Sequence, residues 1–293
     1  MSRLEVQRRF YARYVTAKVD VTEPRIVEAF ASVKRERFLG KGPWNIPVAE
    51  GYLPTETDDP IVLYQDILVG LDHQRQLNNG EPSLHAKCIG AVLPQPDDLV
   101  IQVGAGTGYY TAIFAHLVGP AGRVEAYEIN ADLARRAARN LSKCLTVRLH
   151  VQSALGAVLP SANVIYVCAG ATHVPPAWLD ALAIGGRLVL PLTTHEGPGF
   201  MLLVTRLATA GYAARILCSA YFTPCIGARD DEQSRAIATA LSARPTAEVR
   251  SLRRGNDSDQ TAWCVGDGWW LSTIEPENNS GDDALHSAGA DAP

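Results

Sequence analysis

The chain has 293 residues, 47% hydrophobic and 20% charged, with a formal net charge of −4. This is enough apolar material for one large or two small domains with a sizeable core. There is no basic block to argue for nucleic-acid binding through phosphates, and no apolar run approaches the roughly 20 residues of a membrane span. The opening stretch MSRLEVQRRFYARYV is charged and lacks the apolar core of a secretory signal. Six scattered cysteines, without a C-x-x-C pair, give neither metal-site spacing nor a disulfide framework. A cytoplasmic protein that takes no metal, nucleic acid or membrane partner is expected.

In chain order, residues 3–40 read as helical, with Val6, Phe10, Tyr14 and Val15 at helical spacing. A second helix is predicted from near Thr22, with Pro24 in its first turn and Ile26, Val27, Ala29, Phe30 and Val33 following. Residues 41–66, rich in Pro, Gly and acids, read as irregular surface. Asn78-Asn79-Gly80-Glu81-Pro82 is turn chemistry. Ser83 then stands either as the N-cap of a helix ending before Pro94 or as a ligand contact. His85 is likewise either an ordinary polar residue or one that faces a ligand.

Residues 99–130, LVIQVGAGTGYYTAIFAHLVGPAGRVEAYEIN, carry the clearest signal. Leu99 to Val103 is an apolar run ending at a glycine, as a buried parallel strand would. Gly104, Gly106 and Gly108 alternate in a tight turn, a helix runs to Gly119-Pro120, and Arg123 to Tyr127 is a second strand with Glu128 at its end. Glu128 lies twenty positions after Gly108, close to the roughly 20 residues of nucleotide-binding βαβ units, where an acid accepts hydrogen bonds from a ribose. A helix N-terminus behind glycines suits an anionic group. The spacing is G-x-G-x-G rather than the dinucleotide G-x-G-x-x-G, which points to a nucleoside whose anion is the small carboxylate of S-adenosylmethionine (SAM).

Beyond it, the pattern predicts a helix over 131–141, a strand over 147–151 followed by Ser153, a strand over 164–167, a short helix over 176–182, and a strand over 187–190 capped by Pro191. Strands over 201–205 and 215–222 suggest an antiparallel hairpin at one sheet edge. A helix over 231–244 and strands over 248–252 and 261–265 come next. The segment WCVGDGWWLS reads either as a small hairpin with Trp263, Trp269 and Trp270 as its own core or as a stacking surface for carbohydrate or peptide. The tail, poor in large apolar residues, is expected to be disordered. Alternating strands and helices imply a parallel sheet covered on both faces, with the ligand at the strand C-termini.

Together VGAGTGYYTA, AYEIN, PSLHA, VKRERFLG and GGRLVLPL resemble the protein-L-isoaspartate O-methyltransferase family, over roughly residues 5–226. The resemblance implies an α/β fold, a Rossmann-like SAM-dependent methyltransferase sheet with helices on both faces. The chain divides as an N-terminal helical cap (1–66), a SAM-binding domain (67–228), a small C-terminal α+β extension (229–275) and a tail (276–293). The resemblance implies cofactor contacts at Gly104, Ala105, Gly106, Gly108 and Glu128, with Ser153 and His85 as further candidates, and a substrate loop at Gly80, Pro82 and Ser83. Three positions depart from the family's pattern. Gly80 stands where it carries a serine, Gln152-Ser153 where it carries glycine-aspartate, and Asn163 where strand four opens with aspartate.

The expected activity is methyl transfer from SAM to a carboxylate of a peptide or protein. A carboxylate is already a nucleophile at neutral pH, so alignment and desolvation suffice and no catalytic base is required. Ser83 and His85 are the catalytic candidates, to orient an acceptor or, for His85, to act as base toward a hydroxyl. The alternatives are a small-molecule or dedicated peptide acceptor and a non-catalytic SAM- or nucleoside-binding module. The glycine spacing disfavours an NAD(P)-linked oxidoreductase.

Overall fold

A computed structural model of the protein describes residues 1–195, 197–209 and 211–276. Its first elements are α1 (Arg3–Ala17), α2 (Pro24–Ser32) and the short α3 (Glu36–Leu39). Two small hairpins follow, β1 (Asn45–Val48) with β2 (Gly51–Pro54), and β3 (Gly70–Asp72) with β4 (Leu77–Asn78). The nucleoside-type unit is α4 (Pro82–Val92), β5 (Leu99–Val103), α5 (Tyr109–Val118), β6 (Arg123–Tyr127), α6 (Ala131–Asn140) and β7 (Val147–His150). Then come β8 (Ala162–Val167), α7 (Pro176–Asp180), β9 (Leu182–Leu192), β10 (Gly199–Arg206), β11 (Tyr212–Ala220), α8 (Asp231–Ala243), β12 (Ser251–Arg254), β13 (Ala262–Gly266) and β14 (Trp269–Ser272).

Ten strands form one sheet in the order β13-β14-β12-β11-β10-β9-β8-β5-β6-β7. From β9 to β7 every pairing is parallel; from β9 outward on the other side every pairing is antiparallel. The chain runs β5, β6, β7 toward one edge and returns to β8 beside β5. This puts the topological switch point, and so the crevice for a ligand, at the C-terminal ends of β5 and β8. Ile89, Val100, Phe114 and Tyr166 help to fill one core, and Ile101, Ile165, Trp178 and Leu190 help to fill the other. This is the expected α/β sheet with helices on both faces.

Several local expectations are corrected. In α1 the inward face is Tyr11, Ala12, Val15 and Thr16, with Arg8; Val6, Phe10 and Tyr14 are exposed. The helix carries apolar residues on two sides, and Tyr11 turns inward because it meets Tyr64, edge-on, and Phe30. Residues 41–66 are not irregular throughout: they hold the β1–β2 hairpin and a helical turn over Pro60–Leu63, and Trp44 and Leu63 enter a small core with Leu39 and Val69. Pro191 lies within β9 rather than ending it. The β8 ladder stops at Val189, so the missing N–H removes no bond from that ladder. The β10–β11 hairpin is internal, because β12, β14 and β13 extend the sheet beyond it. Trp263, Trp269 and Trp270 are buried. Trp263 packs edge-on against Phe200 of β10 at 5.7 Å, so Trp263 and Trp269 join the outer sheet to the main core, while Trp270 lies under the Arg253 guanidinium, and none of the three offers a stacking surface. The tail expected to be disordered lies, from residue 277 on, outside the described residues.

Ser83 is not the N-cap of α4. That position belongs to Glu81, whose side chain makes no capping bond; Pro82 is first in the helix and Ser83 second. The orphan N–H of Ser83 donates instead to Asp66 Oδ1 at 2.8 Å, from seventeen residues upstream, and Lys18 Nζ donates to Asp66 Oδ2 at 2.7 Å. A remote carboxylate thereby caps α4 and ties it to α1. Nearby, the buried Arg35 guanidinium donates to the carbonyls of Leu63, Gln65 and Ile67, which sets the course of the segment carrying Asp66.

This packing has two consequences for stability. Burial alone would raise the Asp66 pKa, but the hydrogen bonds from Lys18 and Ser83 prevail and hold the carboxyl below its ordinary value. Its contribution is therefore complete above the ordinary carboxylate pKa and lost as pH falls through the depressed one. Asp66→Ala should cost about 1–2 kcal/mol in urea unfolding at pH 7, a difference that shrinks on acidification below about pH 4. Gly108 has φ +94°, and a Cβ there would lie 2.8 Å from Leu141 Cδ1. Gly108→Ala should therefore lose about 1–3 kcal/mol by the same assay.

Candidate active site

The glycine turn begins where β5 ends. The N–H groups of Gly104 and Ala105 donate to the Tyr127 carbonyl at 2.9 and 3.0 Å, so the turn is stitched to the end of β6. Gly104, Gly106 and Gly108 all have positive φ, at 82°, 59° and 94°. Their surroundings differ. A Cβ on Gly108 would strike Leu141, one on Gly104 would sit 3.4 Å from Cys168, and one on Gly106 would meet nothing nearer than Leu71 at 4.0 Å. Gly108 is thus required by packing, whereas Gly106 has room beside it for a ligand.

Glu128 is braced on both oxygens. Oε2 accepts the Gly106 N–H at 2.7 Å and Oε1 accepts the Asn130 N–H at 2.8 Å. A carboxylate oxygen has two acceptor sites, so one remains on each, enough for the two hydroxyls of a ribose. Burial pushes this carboxyl above its ordinary pKa, and the N–H bonds from Asn130 and Gly106 hold back part of the rise. Ile129 and Val151, at the ends of β6 and β7, are exposed apolar side chains on this rim. Ser153 is half-buried on the same side of the sheet, and its hydroxyl closes a local turn by accepting the Leu155 N–H at 3.0 Å.

The second half of the site comes from the loop before α4. The Gly80 N–H donates to Asn78 Oδ1 at 2.8 Å, and the Tyr110 hydroxyl donates to the Gly80 carbonyl at 3.3 Å. His85 is buried at 3% exposure, stacks on Tyr110 with centroids 3.8 Å apart, and places Nδ1 2.8 Å from the Tyr166 hydroxyl. Burial first, and the Arg35 charge second, push its pKa down to about 3. A burial that disfavours the imidazolium works against a role as base for a hydroxyl acceptor. Gly80 also acquires a physical reason. Its φ is +76°, a backbone that favours glycine, and a Cβ there would lie 2.2 Å from His85 Nε2 as the ring stands.

Ser83 and Pro82 are buried at the start of α4, and the Ser83 hydroxyl donates to Glu81 Oε1 at 3.2 Å. The structure therefore brings together Gly104, Ala105, Gly106, Gly108 and Glu128, and sets Gly80 and His85 against Tyr110, while Ser83 is engaged in holding the helix start. The segment after β11 supplies a further wall. The Gly170 N–H donates to the Thr223 carbonyl at 2.8 Å, the Cys225 N–H donates to the Gly170 carbonyl at 2.9 Å, and Phe222 meets His85 edge-on at 6.1 Å. Tyr221 and Ile226 on this segment are exposed at 79% and 69%. Tyr110, Tyr166, Phe222, Leu71 and Asp66 have no signature in sequence spacing. The one available hint is Tyr166, a phenol in the otherwise aliphatic run NVIYV.

Comparison with known proteins bears on the family and the fold. The model of the family "Protein-L-isoaspartate(D-aspartate) O-methyltransferase (PCMT)" matches residues 13–229. A protein-L-isoaspartate O-methyltransferase of Burkholderia vietnamiensis is 30% identical over 210 residues, covering 70% of this chain and 61% of that protein. Protein-L-isoaspartate O-methyltransferase 2 of Marinobacter nauticus is 30% identical over 213 residues, covering 71% and 87%. The match thus spans less than two thirds of the Burkholderia relatives' length. A solved protein-L-isoaspartate O-methyltransferase superposes with TM-score 0.62 at 21% identity, over 85% of this chain and 72% of that one. A Plasmodium falciparum protein assigned the same activity, solved with S-adenosyl-L-homocysteine, gives TM-score 0.58 at 18% identity, over 74% and 97%. At those identities the structures attest the fold alone, the Rossmann-like methyltransferase sheet. On the family match over most of its length, this chain belongs to the protein-L-isoaspartate O-methyltransferase family.

Proposed function

We propose that this chain transfers a methyl group from SAM to a carboxylate of a peptide or protein, of the isoaspartyl class that its relatives' names specify. The observation that carries the reading is Glu128. Its carboxylate is clamped by two backbone N–H groups, keeps an acceptor site on each oxygen, and stands beside the roomy Gly106. Gly104, Ala105, Gly106 and Gly108 would hold the amino-acid end of the cofactor, Glu128 its ribose, and Ile129 its base. When bound, SAM supplies a methyl group on a sulfonium, so that an O–CH₃ bond forms as the S–CH₃ bond breaks and a neutral thioether leaves.

The residues facing the acceptor favour a carboxylate over a hydroxyl. An alcohol must lose its proton as it attacks, and the imidazole in reach is held neutral with its pKa at about 3. A carboxylate arrives ionised, and this chain's part is to align it and exclude water. The exposed Tyr221 and Ile226 would offer apolar contact to the flanking peptide. Among the described residues no helix is long and apolar enough to cross a membrane. The setting proposed for the acceptor is the cytoplasm.

Calorimetric titration with S-adenosylhomocysteine tests the cofactor half. Glu128→Ala should weaken binding by about 1.5–3 kcal/mol, the worth of hydrogen bonds to a charged acceptor. Unchanged affinity in the variant would remove Glu128 from the site, and no binding by the wild type would leave the glycine turn as scaffold only. Wild-type affinity should also fall on acidification at a pH above the ordinary carboxylate range, because the raised Glu128 pKa leads to early protonation of its acceptor oxygens. Mass spectrometry for a methyl ester on an isoaspartyl peptide tests the acceptor half. Binding without transfer to any carboxylate would support a non-catalytic module instead.

A further inference from the structure

Helix α1 turns a second apolar side to solvent. Val6, Phe10 and Tyr14 stand four residues apart, so they form one row along the helix. They are exposed at 53%, 61% and 47%, and the rings of Phe10 and Tyr14 stack with centroids 6.1 Å apart. Single exposed apolar residues are ordinary, but a row of three with two rings paired is a contact surface. Packing within the chain does not require it, because Tyr11, Ala12, Val15 and Thr16 already hold the other side of the helix.

The border of the row indicates the chemistry of what covers it. Arg3, Arg9 and Arg13 are exposed beside it, and the helix with its C-cap carries the bases Arg3, Arg8, Arg9, Arg13 and Lys18 against one acid, Glu5. Glu5 reaches Arg9 at 3.7 Å across one turn, an exposed pair of little worth. The patch is therefore basic in a chain whose net charge is −4. Aromatic rings bordered by arginines are the composition of binding hot spots. A second copy would set the same arginines against themselves, whereas carboxylates between apolar side chains complement the face. The row also has a direction. The next residue at the same spacing is Lys18, which donates to Asp66 at 2.7 Å and stands 3.7 Å from Glu81 Oε1. The face thus runs about 12 Å from Val6 to Tyr14 and leads to the segments that enter α4.

We propose that the Val6–Phe10–Tyr14 face of α1, bordered by Arg3, Arg9 and Arg13, docks an acidic amphipathic segment of the methyl-accepting protein, at a distance along that protein from the carboxylate that is methylated. The segment lays its apolar side chains on the row and its carboxylates against the arginines, and its chain leaves past Lys18. Docking there raises the local concentration of the acceptor and takes no part in the chemistry. The proposal rests on the methyl-transfer reading above and deepens it, by naming how a protein acceptor is selected.

The probe is a short isoaspartyl peptide joined through a glycine-serine linker to a helical segment with leucine at every fourth position and glutamate between. The short peptide alone, and a version with lysine in place of glutamate, are its controls. With the full chain, the acidic segment should lower KM by about tenfold at unchanged kcat, and the gain should shrink at high salt. Phe10→Ser and Arg13→Glu should each remove most of that gain, while the short peptide's KM and the S-adenosylhomocysteine affinity stay at wild-type values. Both side chains are exposed, so neither change disturbs the core. Fluorescence anisotropy of the labelled segment alone reads docking without reference to activity, and its Kd should rise about tenfold in each variant. A KM indifferent to the segment, a lysine version as good as the glutamate one, or a gain that survives both substitutions overturns the proposal. Sedimentation that shows a wild-type dimer lost in Phe10→Ser would assign the face to a second copy, and flotation with phosphatidylglycerol vesicles lost in Arg13→Glu would assign it to a membrane; either result overturns it too. A wild-type chain that binds no S-adenosylhomocysteine and forms no ester fails the methyl-transfer reading instead, and the anisotropy still decides whether α1 docks the segment.

Discussion

The carboxylate of Glu128 is the pivot of the site. By accepting the N–H groups of Gly106 and Asn130 it joins the turn after β5 to the start of α6, across the end of β6. Those N–H groups belong to a tight turn and to the residue just ahead of a helix, where backbone donors lack regular partners. Satisfying them with a charged acceptor organises the crevice and leaves lone pairs free for a sugar. The cost is a buried carboxylate, expressed in its raised pKa. Its backbone is tied to the next strand, the Glu128 N–H donating to the His150 carbonyl at 3.0 Å.

Opposite this charged anchor stands an apolar, aromatic half-site. His85, Tyr110, Tyr166 and Phe222 surround the loop at Gly80 with rings instead of charges. Burial, with the Arg35 charge second, keeps the imidazole neutral there. The two halves are therefore complementary. The Glu128 side offers a carboxylate braced by backbone N–H groups, and the His85 side offers stacked rings.

The C-terminal strands belong to the same construction. The sheet continues from β11 into β12, β14 and β13, and Trp263, Trp269 and Leu271 share a core with Phe200 and Leu202. The segment between β11 and α8, which carries Phe222, Tyr221 and Ile226, is therefore anchored on both sides. Arg229 adds to this by donating to the Gly170 and Thr193 carbonyls at 2.9 and 3.2 Å. A wall built this way keeps its position over the end of β8.

By itself the sequence determined the parallel half of the sheet, the glycine turn and the acid at the end of β6. These are local features, set by runs of apolar residues, by glycines with positive φ and by a fixed spacing along one βαβ unit. Tertiary structure alone decided what depends on distant partners. It turned Tyr11 inward and left Phe10 outside, since helical spacing marks two apolar sides of α1 and only neighbouring rings select one. The cap of α4 went to Asp66 rather than Ser83, because the helix starts at Pro82 and leaves Ser83 inside its first turn, with its own N–H to be satisfied from seventeen residues upstream. The surroundings of His85 were also decided there: a phenol from β8, eighty-one positions away, lies 2.8 Å from its Nδ1, and no spacing along the chain records that meeting.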